Sequence, residues 1–353
     1  METIEEQVEQ YRKEQIHILK DECLYNGSYE KWYQDLEPFR RYIQKRYIRF
    51  HFGKKLYKNR FVENGQGDIL DHHTISYLAP LDYKNIGWGR RRLYAHEQLK
   101  GISDYFTKRG IRFIYAAIPN KGVIYPSRIC PNEQLLSGKS INAPQWRKYL
   151  FQVMDAGVET IDVLPEFMKE RDQRQVFSKE HNISSQGAKI IADLIADYLK
   201  RTTKKITSCC QIEREEQYYF PSDYREPEKN EELCSICRII QNGKERIPYW
   251  NQNAKDSKIA IFGDCNLQSY SGVGGGITAN LSYNLQYPIY NAGRTLVFDY
   301  DDAMTENDLK NLAKYEIVIY AAFSSAPFVR STTLSLRHPS FGYKWCHLDL
   351  ENS

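Results

Sequence analysis

Cys265 closes the segment Ile259-Ala-Ile-Phe-Gly-Asp-Cys265, an apolar run of strand length that ends on Gly263-Asp264. Glycine permits a tight turn there, so the residues that follow are presented at a strand end. A thiol in such a place is a candidate nucleophile, because helical amides or a nearby cation favour the thiolate. His181 lies in Val176-Phe-Ser-Lys-Glu-His181-Asn-Ile-Ser-Ser-Gln-Gly187-Ala, just ahead of an amphipathic run. A histidine on such a junction can act as general base for a nucleophile on a neighbouring strand end. Glu180 can orient it only if the loop brings both side chains to one face, since successive residues of an extended segment point oppositely. Ser184 and Ser185 are candidate caps of the helix that follows. Each residue also has a plain structural reading: Cys265 as a small buried thiol, His181 as a surface loop residue.

The elements that must position these groups alternate. Tyr94–Arg109 reads as a helix stopped by Gly110, and Ile111–Ile118 as a strand closed by Pro119. Pro144–Ala156 is a second helix and Val158–Val163 a second strand. Ile190, Ile191, Leu194, Ile195, Tyr198 and Leu199 mark one apolar helix face. The alternation resumes with Lys258–Phe262, a helix over Ile277–Leu285, short strands at Tyr287–Tyr290 and Leu296–Phe298, a helix over Thr305–Lys314 and an apolar strand over Tyr315–Phe323. Strands alternating with helices predict an α/β fold: a parallel sheet flanked by helices, with ligands at the carboxyl ends of the strands.

Two segments fall outside the alternation. Residues 1–60 read as a helical N-terminal extension, with nine Lys/Arg and no acid between Pro38 and Arg60. Phe39, Ile43, Tyr47 and Phe50 recur there at helical spacing, which predicts a core stripe beneath a solvated basic face. Residues 202–250 turn Lys/Thr-rich and then acidic, and read as an exposed insertion with little structure of its own, within an α/β domain over 61–353.

The chain has 353 residues and a formal net charge of +4, too mild a balance to imply nucleic acid. No run approaches a membrane span, and the polar opening METIEEQVEQ is not a secretory signal, so a cytoplasmic location is expected. The eight cysteines are scattered and read as reduced thiols. Cys234-Ser-Ile-Cys237 with Cys209-Cys210 fits no regular zinc spacing, and Asp71-His72-His73 reads first as a polar turn. No metal and no cofactor are expected.

Four segments in order then carry a resemblance. Ile118-Pro-Asn-Lys121 with Ile124-Tyr-Pro126, Phe177 to Ala188, Phe262-Gly-Asp-Cys265 and Tyr290-Asn-Ala-Gly293 resemble blocks of the SGNH-hydrolase-like family of alginate O-acetyltransferases, over roughly residues 65–350. The resemblance implies a three-layer SGNH/flavodoxin-like sandwich. It also implies acyl transfer, or ester hydrolysis, on a carbohydrate-like substrate from an acyl donor that the sequence does not name.

By this resemblance Cys265 takes the place of the family's serine nucleophile, and His181 is the base. Lys179 stands where the family has aspartate, which leaves Glu180 as the orienting carboxylate, and Asn182 stands in place of tryptophan. Gly263 and Asp264 support the turn, and the amides of Cys265 and Gly293 are the oxyanion donors. Ser324 falls near the SGNH asparagine. Lys121, Tyr125, Lys179 and Arg294 are the substrate-binding candidates. Loss of serine, aspartate and tryptophan together also fits the alternative of an inactive domain that binds a carbohydrate or a partner.

Overall fold

The computed structural model describes residues 3–51, 54–57, 61–63, 69–71, 78, 95–136, 141–173, 175–179, 182–203, 206–219, 231–249, 254, 256–270, 273–294 and 306–323. In chain order, three helices come first: α1 (Ile4–Tyr25), α2 (Tyr29–Asp35) and α3 (Glu37–Tyr47). Two short hairpins follow, β1 (Ile48–His51) with β2 (Lys54–Tyr57), and β3 (Phe61–Glu63) with β4 (Ile69–Asp71). Then come α4 (Ala95–Thr107), β5 (Arg112–Ile118), α5 (Lys121–Ile124), α6 (Pro126–Ile129), α7 (Pro144–Asp155), β6 (Thr160–Asp162), α8 (Leu164–Glu170) and α9 (Ser185–Thr202). The chain continues through β7 (Ile212–Tyr219), β8 (Glu232–Gln241), β9 (Glu245–Pro248), β10 (Ile259–Gly263), α10 (Cys265–Gln268), α11 (Gly276–Leu285), β11 (Tyr290–Arg294), α12 (Glu306–Leu312) and β12 (Ile317–Phe323).

The central sheet runs β11-β10-β12-β5-β6, and every pairing in it is parallel. Its inner strands are nearly continuous apolar runs, as strands covered on both faces must be: RFIYAAI in β5, IAIFG in β10 and IVIYAAF in β12. Tyr115, Tyr320 and Phe262 sit in register on adjacent strands and stack, with ring centroids 5.5 and 4.8 Å apart. Counted from β10, the spatial order is 2-1-3-4-5, the flavodoxin-like order with the chain entering at the fourth strand. In that order the ligand crevice opens where the connection reverses direction, here between β10 and β12 at their carboxyl ends. The fold therefore directs attention to Gly263-Asp264-Cys265.

The N-terminal helices share this core. Leu19, Tyr33, Phe39, Ile43 and Tyr47 are buried in the same apolar cluster as the central strands, and burying side chains of this size contributes about 1.5–3 kcal/mol each. Arg147 of α7 is fully buried and joins two carboxylates, Glu22 of α1 (2.7 Å) and Asp162 at the end of β6 (2.8 Å). Phe39, Ile43 and Tyr47 of the predicted stripe are buried, but the helix stops at Tyr47 and Ile48–His51 pairs antiparallel with Lys54–Tyr57; the side chain of Phe50 lies outside the described residues. The basic face is only partly solvated. Arg40 is buried, lies 3.5 Å over the Tyr33 ring and donates to the Tyr33 carbonyl, while Arg41 pairs with Glu37.

Residues 202–250 correct the expectation of a structureless insertion. β7, β8 and β9 make a three-stranded antiparallel sheet. The acids of β7 find cross-strand partners in Arg238 (Glu215, 2.8 Å) and Arg246 (Glu213, 2.8 Å), and Lys189 of α9 takes Glu216 (2.8 Å). β8 is the packed strand: Cys234, Ser235, Ile236 and Cys237 are all buried. The predicted strand at Tyr287–Tyr290 begins at Tyr290 and runs to Arg294. The strand expected at Leu296–Phe298 lies outside the described residues.

Candidate functional site

β10 ends against β12 without room for a side chain. Gly263 pairs with Ala321, and a Cβ on Gly263 would collide with the Ala321 carbonyl oxygen. The buried Asp264 then caps a single helical turn: its Oδ1 accepts from the Asn266 amide (2.9 Å) and from Asn266 Nδ2 (2.8 Å), and its carbonyl accepts from the Leu267 amide (3.1 Å). Cys265 is the first residue of that turn. One turn carries little macrodipole, so the helix end by itself does little to favour a thiolate. On the far side Gly263 pairs with Arg294 of β11, which brings Gly293 and Arg294 to the same sheet edge.

The histidine loop is built separately and fastened to this edge. Its stem closes through the Phe177–Ile183 bridge, with the Ser178 amide (2.9 Å) and Ser178 Oγ (3.1 Å) both donating to the Asn182 carbonyl. Ser184 is the cap of α9: its Oγ accepts from the Gly187 amide at 3.0 Å, and its own amide donates to the Val176 carbonyl at 3.1 Å. Gly187 is needed where α9 crosses residue 176, since a Cβ there would strike that same carbonyl oxygen.

The buried Asn266 links the two parts. While Asp264 holds its Nδ2, its Oδ1 accepts from the Ile183 amide at 3.0 Å. One side chain thus spans from the residue after Cys265 to the residue two beyond His181. Glu180, His181 and Ser324 lie outside the described residues, as do the side chains of Cys265 and Arg294.

The substrate-binding candidates divide. Lys121 is 1 % exposed, and its ammonium donates to the carbonyls of Ser178 and Lys179, both at 2.9 Å. Tyr125 is also buried; its hydroxyl accepts from the Val176 amide at 3.2 Å, and burial raises its pKa above the ordinary phenol value. Both side chains are engaged with the backbone of the histidine loop. Lys179 is exposed beside it. Sequence reasoning missed Asn266; the only signal was an amide side chain two residues beyond a strand-end aspartate.

Gly293 adopts φ +88°, a conformation that suits glycine, and its amide donates to Asn291 Oδ1 at 2.8 Å. Asn291 in turn donates to Thr278 Oγ1 at 3.1 Å. In this state the amide assigned to the oxyanion hole has an internal acceptor.

Cys234 and Cys237 do not converge. They lie on opposite faces of β8, Cys234 packed with Ile236 and Tyr270, Cys237 with Ile212 and Ile239. Burial pushes both thiols up to about 12. Among the described residues no three His, Cys, Asp or Glu side chains are grouped to hold a metal ion. Asp71 ends β4, and His72 and His73 lie outside the described residues.

A parallel five-stranded sheet flanked by helices, in this strand order and with its glycine-aspartate turn at the switch point, is an SGNH-hydrolase-like α/β fold. Residues 92–226 match the family described as SGNH hydrolase-like domain, acetyltransferase AlgX. Over those residues the chain is similar to that acetyltransferase family. The O-acetyltransferase domain of Pseudomonas putida AlgJ superposes with a TM-score of 0.54 at 13% identity, over 83% of this chain and 99% of that one. Pseudomonas aeruginosa AlgX gives 0.49 at 17%, over 80% and 68%. No curated protein matches the chain in sequence. Among the described residues no helix is long and apolar enough to cross a membrane.

Proposed function

We propose that this chain transfers an acyl group, acetyl in the first instance, to a hydroxyl of a polysaccharide, with Cys265 as nucleophile and His181 as base. The Cys265 thiolate attacks the ester carbonyl of the donor. The tetrahedral adduct collapses to a thioester, and the departing alkoxide takes the proton that His181 accepted from the thiol. A sugar hydroxyl then gives its proton to His181, attacks the thioester and leaves with the acyl group, and the thiol is restored. Cysteine needs less activation than serine, so the loss of the aspartate two residues before the histidine is less damaging here. Glu180 is the carboxylate nearest in sequence to orient the imidazole, and Arg294 and the exposed Lys179 are the cations offered to an anionic sugar.

The observation that carries this reading is the hydrogen bond from the Ile183 amide to Asn266, which fastens the histidine loop to the cysteine turn. The bond between the Gly293 amide and Asn291 favours a second reading, a cleft that binds carbohydrate without turnover, because an oxyanion donor must first leave that acceptor.

Hydrolysis of 4-nitrophenyl acetate, and alkylation of Cys265 near pH 7, separate the two. Acyl transfer predicts turnover that disappears in Cys265→Ala, and Cys265 alkylation that slows in His181→Ala. Equal rates with and without these side chains sink the enzyme reading and leave the binding module.

A further inference from the structure

We infer that Lys121 is a positioning residue for His181: its buried ammonium at Ser178 and Lys179, together with Asn266 at Ile183, clamps the backbone on either side of that residue to the carboxyl edge of the central sheet. The role given to His181 rests on the function proposed above; the clamp itself rests only on geometry.

A lysine is almost never fully buried without partners, because its flexible stem can normally carry the charge to water. Lys121 is 1 % exposed and two of its donors go to adjacent carbonyls, Ser178 and Lys179, where the chain enters the segment bearing His181. Two neighbouring carbonyls turned onto one cation fix the direction in which the chain leaves Ser178. Asn266 holds the other stem through the Ile183 amide. The two clamping side chains come from different strand ends, Lys121 after β5 and Asn266 after β10.

The bridge between Phe177 and Ile183 closes the loop upon itself but does not set its angle to the sheet. Lys121 and Asn266 do, and Tyr125 adds a third point at the Val176 amide. The Pro-Asn-Lys and Tyr-Pro residues thus act on catalysis through the loop, and Lys121 need not touch substrate.

The test uses the full chain with Lys121→Met, which keeps the stem and removes the donors, and Lys121→Gln, which keeps two donors on a shorter stem. Amide hydrogen exchange of residues 177–184 is measured beside exchange of β5 and β10, and the kinetics of 4-nitrophenyl acetate hydrolysis beside both. In Lys121→Met, exchange of the 178–183 amides should rise about tenfold or more while β5 and β10 keep their protection. The turnover number should fall about 10–100-fold with KM within about twofold, and Lys121→Gln should lie between. Unchanged exchange of the loop overturns the clamp, and so does a rise spread evenly over β5 and β10. Should Lys121→Met fail to fold, Lys121→Gln decides by the same readings. A wild-type chain that exchanges as described but has no turnover removes the acyl-transfer reading and leaves the clamp standing.

Discussion

The central parallel sheet and the β7–β9 sheet both bury polar groups, and they satisfy them differently. At the carboxyl edge of the parallel sheet three buried side chains have specific partners. Arg147 lies between Glu22 and Asp162, Lys121 on two carbonyls, and Asn266 between Asp264 and Ile183. In the antiparallel sheet the charges are carried by half-exposed cross-strand pairs such as Glu215–Arg238, worth about 0–1 kcal/mol each. Its buried strand β8 is lined instead by thiols and aliphatic side chains. The parallel edge can therefore hold a reacting group in place, whereas the antiparallel sheet mainly covers apolar surface on α9 and α11. It reaches the first turn of α9 through the Ser235 amide, which donates to Ser185 Oγ at 3.0 Å, and the Leu233 carbonyl, which accepts from Gln186 Nε2 at 3.3 Å.

The largest test of that contrast is Arg147→Met. It leaves Asp162 buried without its cation, so the unfolding free energy should drop by about 3–5 kcal/mol in urea titration. A loss below about 1 kcal/mol would place this pair with the surface pairs of the other sheet.

Next are two glycines. Gly263→Ala forces a Cβ into the Ala321 carbonyl and should cost about 3 kcal/mol, the upper end for overpacking. Gly243→Ala, in the β8–β9 turn at φ +72° with open space around it, should cost only about 1 kcal/mol for the left-handed conformation. Equal melting temperatures for the two variants would contradict the close packing of Gly263 against β12.

The last test is a pH effect in β8. The folded chain holds the Cys234 and Cys237 thiols protonated up to about pH 12, whereas an unfolded thiol ionises near pH 8.5. The unfolded state therefore binds fewer protons above that point. This contribution to stability is complete below about pH 8.5 and is lost as pH rises towards 12, at roughly 1 kcal/mol per pH unit for each thiol. The urea midpoint should fall between pH 8 and pH 10.5, and less steeply in Cys237→Ala. Identical slopes for the variant and the wild type would show that the thiol is not shielded.

The parallel strands were legible because strands covered on both faces must be apolar throughout; β5, β10 and β12 are bounded by glycine, proline or charge, and the turn Gly263-Asp264 could be read directly. The antiparallel sheet was misread for a related reason. The acids of β7 resemble a solvated linker until their partners are known, and Arg238 and Arg246 follow only after another strand and a turn. The apolar stretch Leu233–Ile240 was the available signal. The Tyr287–Tyr290 strand was placed too early because the pairing of β11 with β10 sets its start at Tyr290.

By itself the sequence determined which residue types stand at the strand ends, where the helices are capped, and that a thiol occupies the position at the end of β10. Those are local facts, settled by alternation, apolar spacing and turn chemistry within a few residues. Only the tertiary structure decided what Lys121, Tyr125 and Asn266 do. Their partners lie 57, 51 and 83 residues away in the chain, and a hydrogen bond across such a separation depends on how two strand ends are brought side by side. A lysine that reads as a ligand for substrate becomes a loop support once its carbon stem is buried and its ammonium donates to two backbone carbonyls.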